Sequence, residues 1–392
     1  MIELKKIAIV TRCMVTGGIE KSILSMIENI DKNEYEITLL LMEYRGEFLN
    51  KVPKHVKVES LYGDDISILN IIKNDVCGLR LIKALKDIYY GFMCKLSKNS
   101  FKKYSYHSKI LSVREEVYDL AIADHVPASF PVIYVINNIK AKKKAAWIHS
   151  DITLYKATIK PYKKYYEKFD KIFSVSKETC KKMRLEMPNI QNKIEVFYNI
   201  INQKELLKLA TCGERFDDDF NGIRILTVGR LCEEKGQDLI VDVIKRLTKK
   251  GYNFRWYCVG DGELRSKLEN RILSENLKDK LILLGNKNNP YKYIEECDIY
   301  VQPSRQECYC TTITEAKCFF KPMVITDVNG SKEQIVNRKN GLIVNANIND
   351  IYSGVSELIE NSCLKEKFIN ELKSYSVDTR DEIYKLYKLI TE

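Results

Sequence analysis

The sequence lacks several features that would assign it at once to a class of protein. Its 392 residues include no apolar run of the ~18 to 20 residues that a membrane-spanning helix needs. The first ten residues are too short and too charged for a signal peptide and favour a strand instead. The twelve cysteines form no CxxC pair and no cysteine–histidine ladder with zinc spacing, which favours mostly buried thiols in a reducing cytoplasm.

The composition is that of an ordinary globular protein, with 45% hydrophobic and 30% charged residues. The length is two to three times the ~150 residues of one average domain, so we expect two domains. Charge is unevenly divided between the two halves. Residues 1–200 hold 34 basic and 23 acidic side chains, whereas residues 201–392 hold 30 of each, so the net charge of +11 belongs entirely to the first half.

Short apolar runs alternate with helical patterns in both halves, which is typical of βαβ units and parallel sheets. We therefore predict an α/β protein with two Rossmann-like, doubly wound domains. The predicted strands are 6–11, 36–42, 56–61, 118–123, 144–148 and 171–174, then 223–228, 254–259, 281–284, 299–303 and 322–326. The main predicted helices are 19–30, 237–249, 263–275, 291–297 and 312–319.

Composition also places the domain boundaries. Residues 1–200 form the predicted N-terminal domain and residues 223–378 the C-terminal domain, joined by a linker at 201–222 that contains the polar stretch 213–222. Residues 379–392 have helical spacing of apolar side chains. That final helix either caps its own domain or returns to the first one.

The densest group of chemically capable residues lies in the second half. Arg230 and Lys235 follow a predicted strand, where two fixed cations suit a pair of phosphates. Glu307 precedes a predicted helix and Glu315 lies about one turn inside it. The start of that helix offers N–H groups and a positive dipole end to an anion. Each glutamate alone would more simply be a capping or solvated residue, but together with the two cations the set favours a ligand site.

The order R-x4-K followed by E-x7-E resembles the retaining glycosyltransferases of family 4, which have the GT-B fold and include builders of bacterial surface polysaccharides. Three further segments carry the resemblance: Gly17-Gly-Ile-Glu20, Val259-Gly-Asp-Gly-Glu-Leu-Arg265 and Asn340-Gly-Leu-Ile-Val344. The resemblance implies two Rossmann-like domains facing a central cleft, with a nucleotide-sugar donor bound mainly by the C-terminal domain.

The same resemblance implies roles for individual residues. Arg230 and Lys235 would neutralise the donor diphosphate, Glu307 would hold hydroxyls of the transferred sugar, and Glu315 would hold the ribose. Backbone N–H groups would complete the phosphate and sugar contacts at Tyr309, Cys310, Thr311 and Thr312. Asn286 and Lys287 would meet the base, and Gly17 and Gly18 would let backbone approach the diphosphate. The family usually has glycine where this chain has Cys308, which bears on the shape of the sugar pocket.

A histidine of the first half belongs to the implied site. His149 follows a predicted strand and matches the family histidine that faces the donor sugar, while His125 is the competing candidate. Asp151 could orient His149 or cap the next helix. No acidic pair of metal-binding type lies near the motifs, so we expect neither a metal nor any other cofactor. Retention of anomeric configuration is implied by the family alone.

The excess positive charge forms two clusters with interleaved aromatic residues. Residues 80–109 hold eight basic side chains against one acid, and residues 140–184 hold fourteen against four. The pattern fits a solvated basic face or an anionic membrane surface. No nucleic-acid motif is present, so we expect no nucleic-acid partner.

These inferences lead to one expected function and its rivals. We expect a cytoplasmic enzyme, peripheral on the inner face of the membrane, that moves a hexose or N-acetylhexosamine from a nucleotide-diphosphate sugar, with UDP favoured, to a polyprenyl-linked glycan. The alternatives are a soluble glycosyltransferase that acts on a protein or small molecule, and a catalytically silent glycan-binding partner of the same fold.

Overall fold

Two parallel sheets organise the chain in a computed structural model that describes residues 4–62 and 68–392. The chain divides into two units. The first runs to Ile200 and also contains Arg380–Glu392, and the second is Ile201–Thr379. The predicted fold class, two doubly wound parallel-sheet domains, is confirmed.

The first unit is built on a sheet of seven parallel strands in the order β3-β2-β1-β4-β5-β6-β7. Its strands are β1 (Lys5–Thr11), β2 (Tyr35–Leu41), β3 (Lys57–Ser60), β4 (Val117–His125), β5 (Lys140–Ile148), β6 (Lys171–Ser174) and β7 (Ile194–Val196). Its helices are α1 (Gly18–Asn29), α2 (Ile68–Cys77), α3 (Leu81–Leu96), α4 (Ser100–Ile110), α5 (Phe130–Asn138), α6 (Lys156–Ile159), α7 (Lys163–Tyr166) and α8 (Lys177–Glu186). The six predicted strands are confirmed. The strand β7, only three residues long, gave too short a pattern to be predicted.

The second unit has six parallel strands in the order β10-β9-β8-β11-β12-β13. Its strands are β8 (Ile223–Val228), β9 (Phe254–Val259), β10 (Leu281–Gly285), β11 (Ile299–Gln302), β12 (Met323–Thr326) and β13 (Leu342–Val344). Its helices are α9 (Gln203–Ala210), α10 (Gln237–Lys249), α11 (Arg265–Ser274), α12 (Tyr291–Glu296), α13 (Thr311–Cys318), α14 (Ser331–Gln334), α15 (Ile348–Glu360) and α16 (Ser362–Lys373). Helix α10 shows why apolar spacing predicted the helices: Ile240, Val243 and Leu247 recur at helical spacing and are fully buried.

The boundary between the two units differs from the predicted domain boundary. Residues 201–222 are not a linker but part of the second unit, because Leu206, Ala210 and Phe216 are buried in its core. The polar composition of 213–222 resembles that of a linker, but acidic side chains of this stretch form hydrogen bonds within the second unit. Asp218 accepts hydrogen bonds from Arg224, Arg255 and Tyr257, so the stretch is fixed by ion pairs.

The last helix, α17 (Tyr384–Thr391), belongs to the first unit. The Tyr387 ring stacks on Tyr35 with centroids 4.6 Å apart, and the Tyr387 hydroxyl accepts a hydrogen bond from the Asp31 N–H. Of the two destinations open from the sequence, the helix therefore takes the return to the first unit. Within residues 4–62 and 68–392, no helix is both long and apolar enough to cross a membrane.

Candidate active site

The main site residues follow β8 and β11, the two central strands of the second sheet. The strand order reverses between β8 and β11, and loops at the carboxyl ends of such a strand pair form the usual ligand crevice of a doubly wound sheet. Lys235 lies seven residues beyond the end of β8, and Glu307 lies five residues beyond the end of β11. The fold thus brings together two residues that are 72 positions apart in sequence.

The loop after β8 reaches the loop after β11 through a glycine. Gly236 is the N-cap residue of α10 with φ of 71°, and a Cβ there would lie 2.1 Å from the carbonyl oxygen of Pro303. Only glycine permits both this conformation and this approach. Arg305 reinforces the contact, because its guanidinium donates to the Glu233 carbonyl at 2.8 Å and pairs with both oxygens of Asp238.

The Gly-Asp-Gly segment after β9 supports the same loop from its other side. Gly260 has φ of 134°, and a Cβ there would lie 2.0 Å from the Gly229 carbonyl oxygen. The Leu231 N–H donates to the Asp261 carbonyl at 3.0 Å. The motif that contributed to the family resemblance therefore acts here by positioning the loop that carries Arg230.

Lys235 and Glu307 form an ion pair in a nearly buried setting. The Lys235 Nζ lies 2.6 Å from Glu307 Oε1, and their side chains are 24% and 8% exposed. Burial alone would lower the pKa of Lys235, but the negative charge of Glu307 outweighs it and raises that pKa above its ordinary value. Lys235 is accordingly a fixed cation, held against the carboxylate of Glu307.

A chain of buried polar side chains links Glu307 to the start of α13. Ser304 donates to Glu307 Oε1 at 2.8 Å, and Gln302 donates to Ser304 Oγ at 2.9 Å. The Gln302 side-chain carbonyl accepts from Thr312 Oγ1 at 3.1 Å and from the Tyr300 hydroxyl at 2.7 Å. Sequence reasoning missed Tyr300, Gln302 and Ser304. Their spacing of two along a buried strand was the available signal, because it predicts one shared face.

Helix α13 places the remaining residues of the second unit. Glu315 is fully buried on this helix, and Cys310 lies at its N-cap, where burial raises the pKa of the thiol to about 12. Tyr309 and Thr311 are half-buried beside them. Cys308 is not among the non-glycine residues with positive φ in the described part of the chain, so its backbone suits an ordinary side chain. Gly330 packs against it, because a Cβ there would lie 2.7 Å from the Cys308 carbonyl oxygen.

Three predicted site residues lie outside this network. Arg230 is exposed, and its guanidinium lies 3.7 Å from Glu234 on its own loop. Asn286 is exposed just beyond β10, and Lys287 forms an ion pair with Glu214. The structure therefore places these three on the surface of the second unit, without direct contact to the Lys235–Glu307 pair.

The first unit carries its predicted residues on loops after β1 and β5. Gly17 has an extended backbone, with φ of −164°, and so does not require glycine for its conformation. A Cβ there would lie 2.4 Å from Glu20 Oε2, the end of a flexible side chain, so Glu20 would have to move aside. Gly18 begins α1, and a Cβ there would meet nothing within 4 Å.

His149 contacts an acid that the sequence analysis did not assign to it. Its Nε2 lies 2.9 Å from Oδ1 of Asp124, which is fully buried at the end of the adjacent strand β4. Burial raises the pKa of Asp124, against the lowering effect of His149. Asp151 instead caps the short helix that follows it, accepting from the Thr153 N–H at 2.9 Å, and pairs with Lys182. Of its two predicted roles, the structure shows capping.

His125, the competing histidine, is half-buried at the end of β4. Burial, followed by the neighbouring charges of His149 and Arg12, lowers the pKa of His125 to about 4. Its carbonyl oxygen accepts a hydrogen bond from the His149 N–H at 3.2 Å, so the two histidines are neighbours across β4 and β5. Across residues 4–62 and 68–392, no group of three or more His, Cys, Asp or Glu side chains is placed to hold a metal ion.

Comparisons with known proteins point to a single family. Residues 215–375 match the family model described as glycosyl transferases group 1. An uncharacterized glycosyltransferase of Methanocaldococcus jannaschii is 30% identical over 247 residues, which cover 58% of this chain and 60% of that protein. The matches to curated relatives therefore span little more than half of either chain.

A second relative has a described activity. The N-acetylgalactosamine-N,N'-diacetylbacillosaminyl-diphospho-undecaprenol 4-alpha-N-acetylgalactosaminyltransferase of Campylobacter jejuni is 28% identical over 211 residues, covering 53% of this chain and 56% of that protein. Among solved structures, Anabaena HepE in complex with UDP and glucose superposes with a TM-score of 0.72 at 14% identity, over 99% of this chain and 100% of HepE. At that identity the likeness establishes the fold.

Proposed function

We propose that this chain, whose residues 215–375 match the group 1 glycosyl transferases, transfers a sugar from a nucleotide-diphosphate donor. The observation that carries the proposal is the Lys235–Glu307 pair at the carboxyl ends of β8 and β11, joined by a buried polar chain to the start of α13. A fixed cation, a carboxylate and a helix N-terminus at one sheet edge match the phosphate and hydroxyl groups of such a donor.

Stabilisation of the leaving group is the main catalytic effect in this proposal. Departure of a nucleoside diphosphate develops negative charge on its terminal phosphate. Lys235 is held in place before the reaction, so it meets that charge without reorganisation. Arg230 is exposed and lies on the same loop, from which it can close on the diphosphate when the donor binds. We propose that this chemistry needs no metal and retains the anomeric configuration, as in the family.

The two carboxylates, Glu307 and Glu315, would bind different parts of the donor. Glu307, which is 8% exposed, would accept hydrogen bonds from hydroxyls of the transferred sugar, and Glu315 would bind the ribose from within α13. The N–H groups of Tyr309–Thr312 would contact phosphate and sugar, and Asn286 with Lys287 would meet the base. UDP is the favoured nucleotide, supported by the UDP complex of HepE, and the sugar is a hexose or N-acetylhexosamine.

His149 is proposed as the residue of the first unit that supports reaction at the anomeric carbon. Asp124 is its positioning residue, because a buried carboxylate 2.9 Å from Nε2 fixes the orientation of the imidazole ring. Gly17 and Gly18 remain the proposed points at which backbone of the first unit approaches the diphosphate.

The proposed acceptor is a lipid-linked glycan in the synthesis of a surface polysaccharide. The name of the Campylobacter relative describes transfer to a diphospho-undecaprenol-linked sugar, and this supports the same acceptor class here. An acceptor of this kind would bring the enzyme to the inner face of the membrane as a peripheral protein. A soluble acceptor, either a protein or a small molecule, is the alternative.

The experiment pairs one site variant with a matched control. Thermal unfolding with UDP-, GDP- and ADP-sugars should identify the donor as the ligand that raises the melting temperature most, and donor hydrolysis or transfer should follow with that donor. Lys235→Ala should reduce the rate about a hundredfold or more. Lys245→Ala breaks a comparable ion pair, with Glu275 at 2.8 Å, and should leave the rate unchanged. Equal effects of the two substitutions would exclude the assigned site, and absence of any donor hydrolysis would favour a silent glycan-binding protein.

A further inference from the structure

Helix α3 exposes its large apolar side chains to solvent, whereas a helix that packs on a protein core buries them. Ala84, Asp87 and Cys94 are buried on its inner face. Its outer face is at least 48% exposed at each of six large side chains: Ile82, Leu85, Ile88, Tyr89, Phe92 and Leu96. At 100° per residue these six lie within an arc of roughly 120°. Amphipathic helices of soluble proteins normally bury such a face.

The orientation of α3 is fixed by contacts on its inner side. Asp75 on α2 pairs with Arg80 and Lys83, at 2.9 Å and 2.8 Å. The Cys94 thiol donates to the Lys103 carbonyl of α4 at 3.4 Å. Since α3 is held by its small and polar face, the outward apolar face is a built feature of the first unit, and a contiguous exposed apolar patch of this kind marks an interaction surface.

The charges around this face favour an anionic occupant. Lys86 and Lys95 are exposed on α3 and flank the apolar arc on its two sides. In the part of the chain that the structure describes, neither lies in an ion pair, and the one acid of α3, Asp87, points inward. In the other basic cluster, Lys142 and Lys171 pair with acids of neighbouring strands, and Lys140 pairs with Glu115, just before β4.

We propose that α3 is a membrane-docking helix that lies in the interface of an anionic bilayer. Its apolar face enters the boundary between headgroups and acyl chains, while Lys86 and Lys95 extend their ammonium groups to lipid phosphates. A second copy of the chain is less suitable, because a two-fold contact through the same face would bring the same lysines against one another. The proposal deepens the proposed function, since a lipid-linked acceptor is met at that surface.

Vesicle flotation tests the assignment on the full chain. We expect binding to vesicles of phosphatidylglycerol and phosphatidylcholine, and at least tenfold weaker partitioning for the double variant Leu85→Asp/Phe92→Asp. Leu185→Asp is the matched control, because Leu185 is 73% exposed on α8, away from this face. Lys86→Glu/Lys95→Glu should weaken binding to the mixed vesicles while leaving the small binding to pure phosphatidylcholine unchanged. Equal binding by the Leu85/Phe92 variant and the wild type would overturn the proposal.

A fluorescent reporter gives a second, independent measurement. Both native tryptophans, Trp147 and Trp256, are buried, so Phe92→Trp adds a single exposed indole. Its emission should shift to the blue with anionic vesicles and be quenched by brominated acyl chains, whereas Leu185→Trp should show neither effect. An unshifted Phe92→Trp spectrum, or a dimer in solution that the Leu85/Phe92 variant dissociates, would overturn membrane docking. Loss of docking with unchanged donor hydrolysis would separate this inference from the proposed function.

Discussion

Substitution of Glu307 by glutamine offers the sharpest test of how the site uses its charges. Glu307 holds Lys235 at 2.6 Å, so a donor diphosphate would have to compete with it for the ammonium group. Glutamine keeps a hydrogen-bond acceptor for Ser304 and nearly the same volume, but it removes the competing charge. We expect Glu307→Gln to bind free nucleoside diphosphate more tightly while transferring sugar more slowly.

The size of the gain follows from the geometry. A unit charge about 4 Å from another contributes about 1 kcal/mol in bulk water and about 4 kcal/mol near a protein surface. Glu307 is nearly buried but lies beside the proposed donor site, so we take about 1.5 to 2 kcal/mol as the gain in binding free energy when its charge is removed. Affinity for UDP should then rise by about ten- to thirtyfold. The rate of transfer should fall about a hundredfold, because contacts to the sugar hydroxyls are lost in the transition state.

Isothermal titration with UDP and with the intact UDP-sugar measures both effects. UDP-sugar should gain less affinity than UDP, since only the sugar conjugate loses its partner at Glu307. Glu275→Gln serves as the control, because Glu275 pairs with Lys245 and Arg271 away from these loops, and it should change neither affinity. Weaker binding of UDP to Glu307→Gln, with an unchanged melting temperature, would show that Glu307 does not compete with the diphosphate.

Three further predictions concern the loops and the first unit. Gly236→Ala should lower the free energy of unfolding by about 2 to 3 kcal/mol, because of its positive φ and the blocked approach of a carbonyl, whereas Gly251→Ala, with positive φ but open space, should cost only about 1 kcal/mol in urea denaturation. Burial lowers the pKa of His107 to about 4, so the folded protein loses stability as the pH falls below about 6.5, where this histidine is protonated in the unfolded chain. Between pH 7.5 and 5.0 the free energy of unfolding should fall by about 2 kcal/mol because of this histidine. His107→Gln should remove that part of the pH dependence of unfolding. Asp124→Asn should reduce kcat more than tenfold with little change in KM and should move the pH profile, if Asp124 orients His149.

The sequence predicted the sheets well because their strands are buried on both faces and read as short apolar runs. It also indicated that Lys235 and Glu307 follow β8 and β11, and the doubly wound strand order brings the carboxyl ends of those strands, with these two residues, together. The polar chain from Glu307 to Thr312 was missed. Gln302 looks like the end of an ordinary strand in the sequence, and only its burial shows that it must be hydrogen-bonded.

Two other features were beyond the sequence for different physical reasons. The acid beside His149 depends on the pairing of β4 with β5, which sets Asp124 opposite Trp147, whereas nearness in sequence favoured Asp151. Helix α3 has a clear apolar period, but a period defines a face without saying whether the face points inward. The basic cluster in 80–109 was evident from composition, and the packing of Asp75, Asp87 and Cys94 fixes which way its apolar face turns.

The membership of Arg380–Glu392 in the first unit has a consequence for biosynthesis. Residues up to Ile200 leave the ribosome long before the helix that stacks Tyr387 on Tyr35 has been made. The second unit is continuous in sequence, whereas Tyr35 of the first unit gains its stacking partner only once Arg380–Glu392 has been made. A chain stalled or truncated before residue 380 would therefore contain every residue of the second unit but a first unit without α17, so the part of the protein that is synthesised first is completed after the second unit.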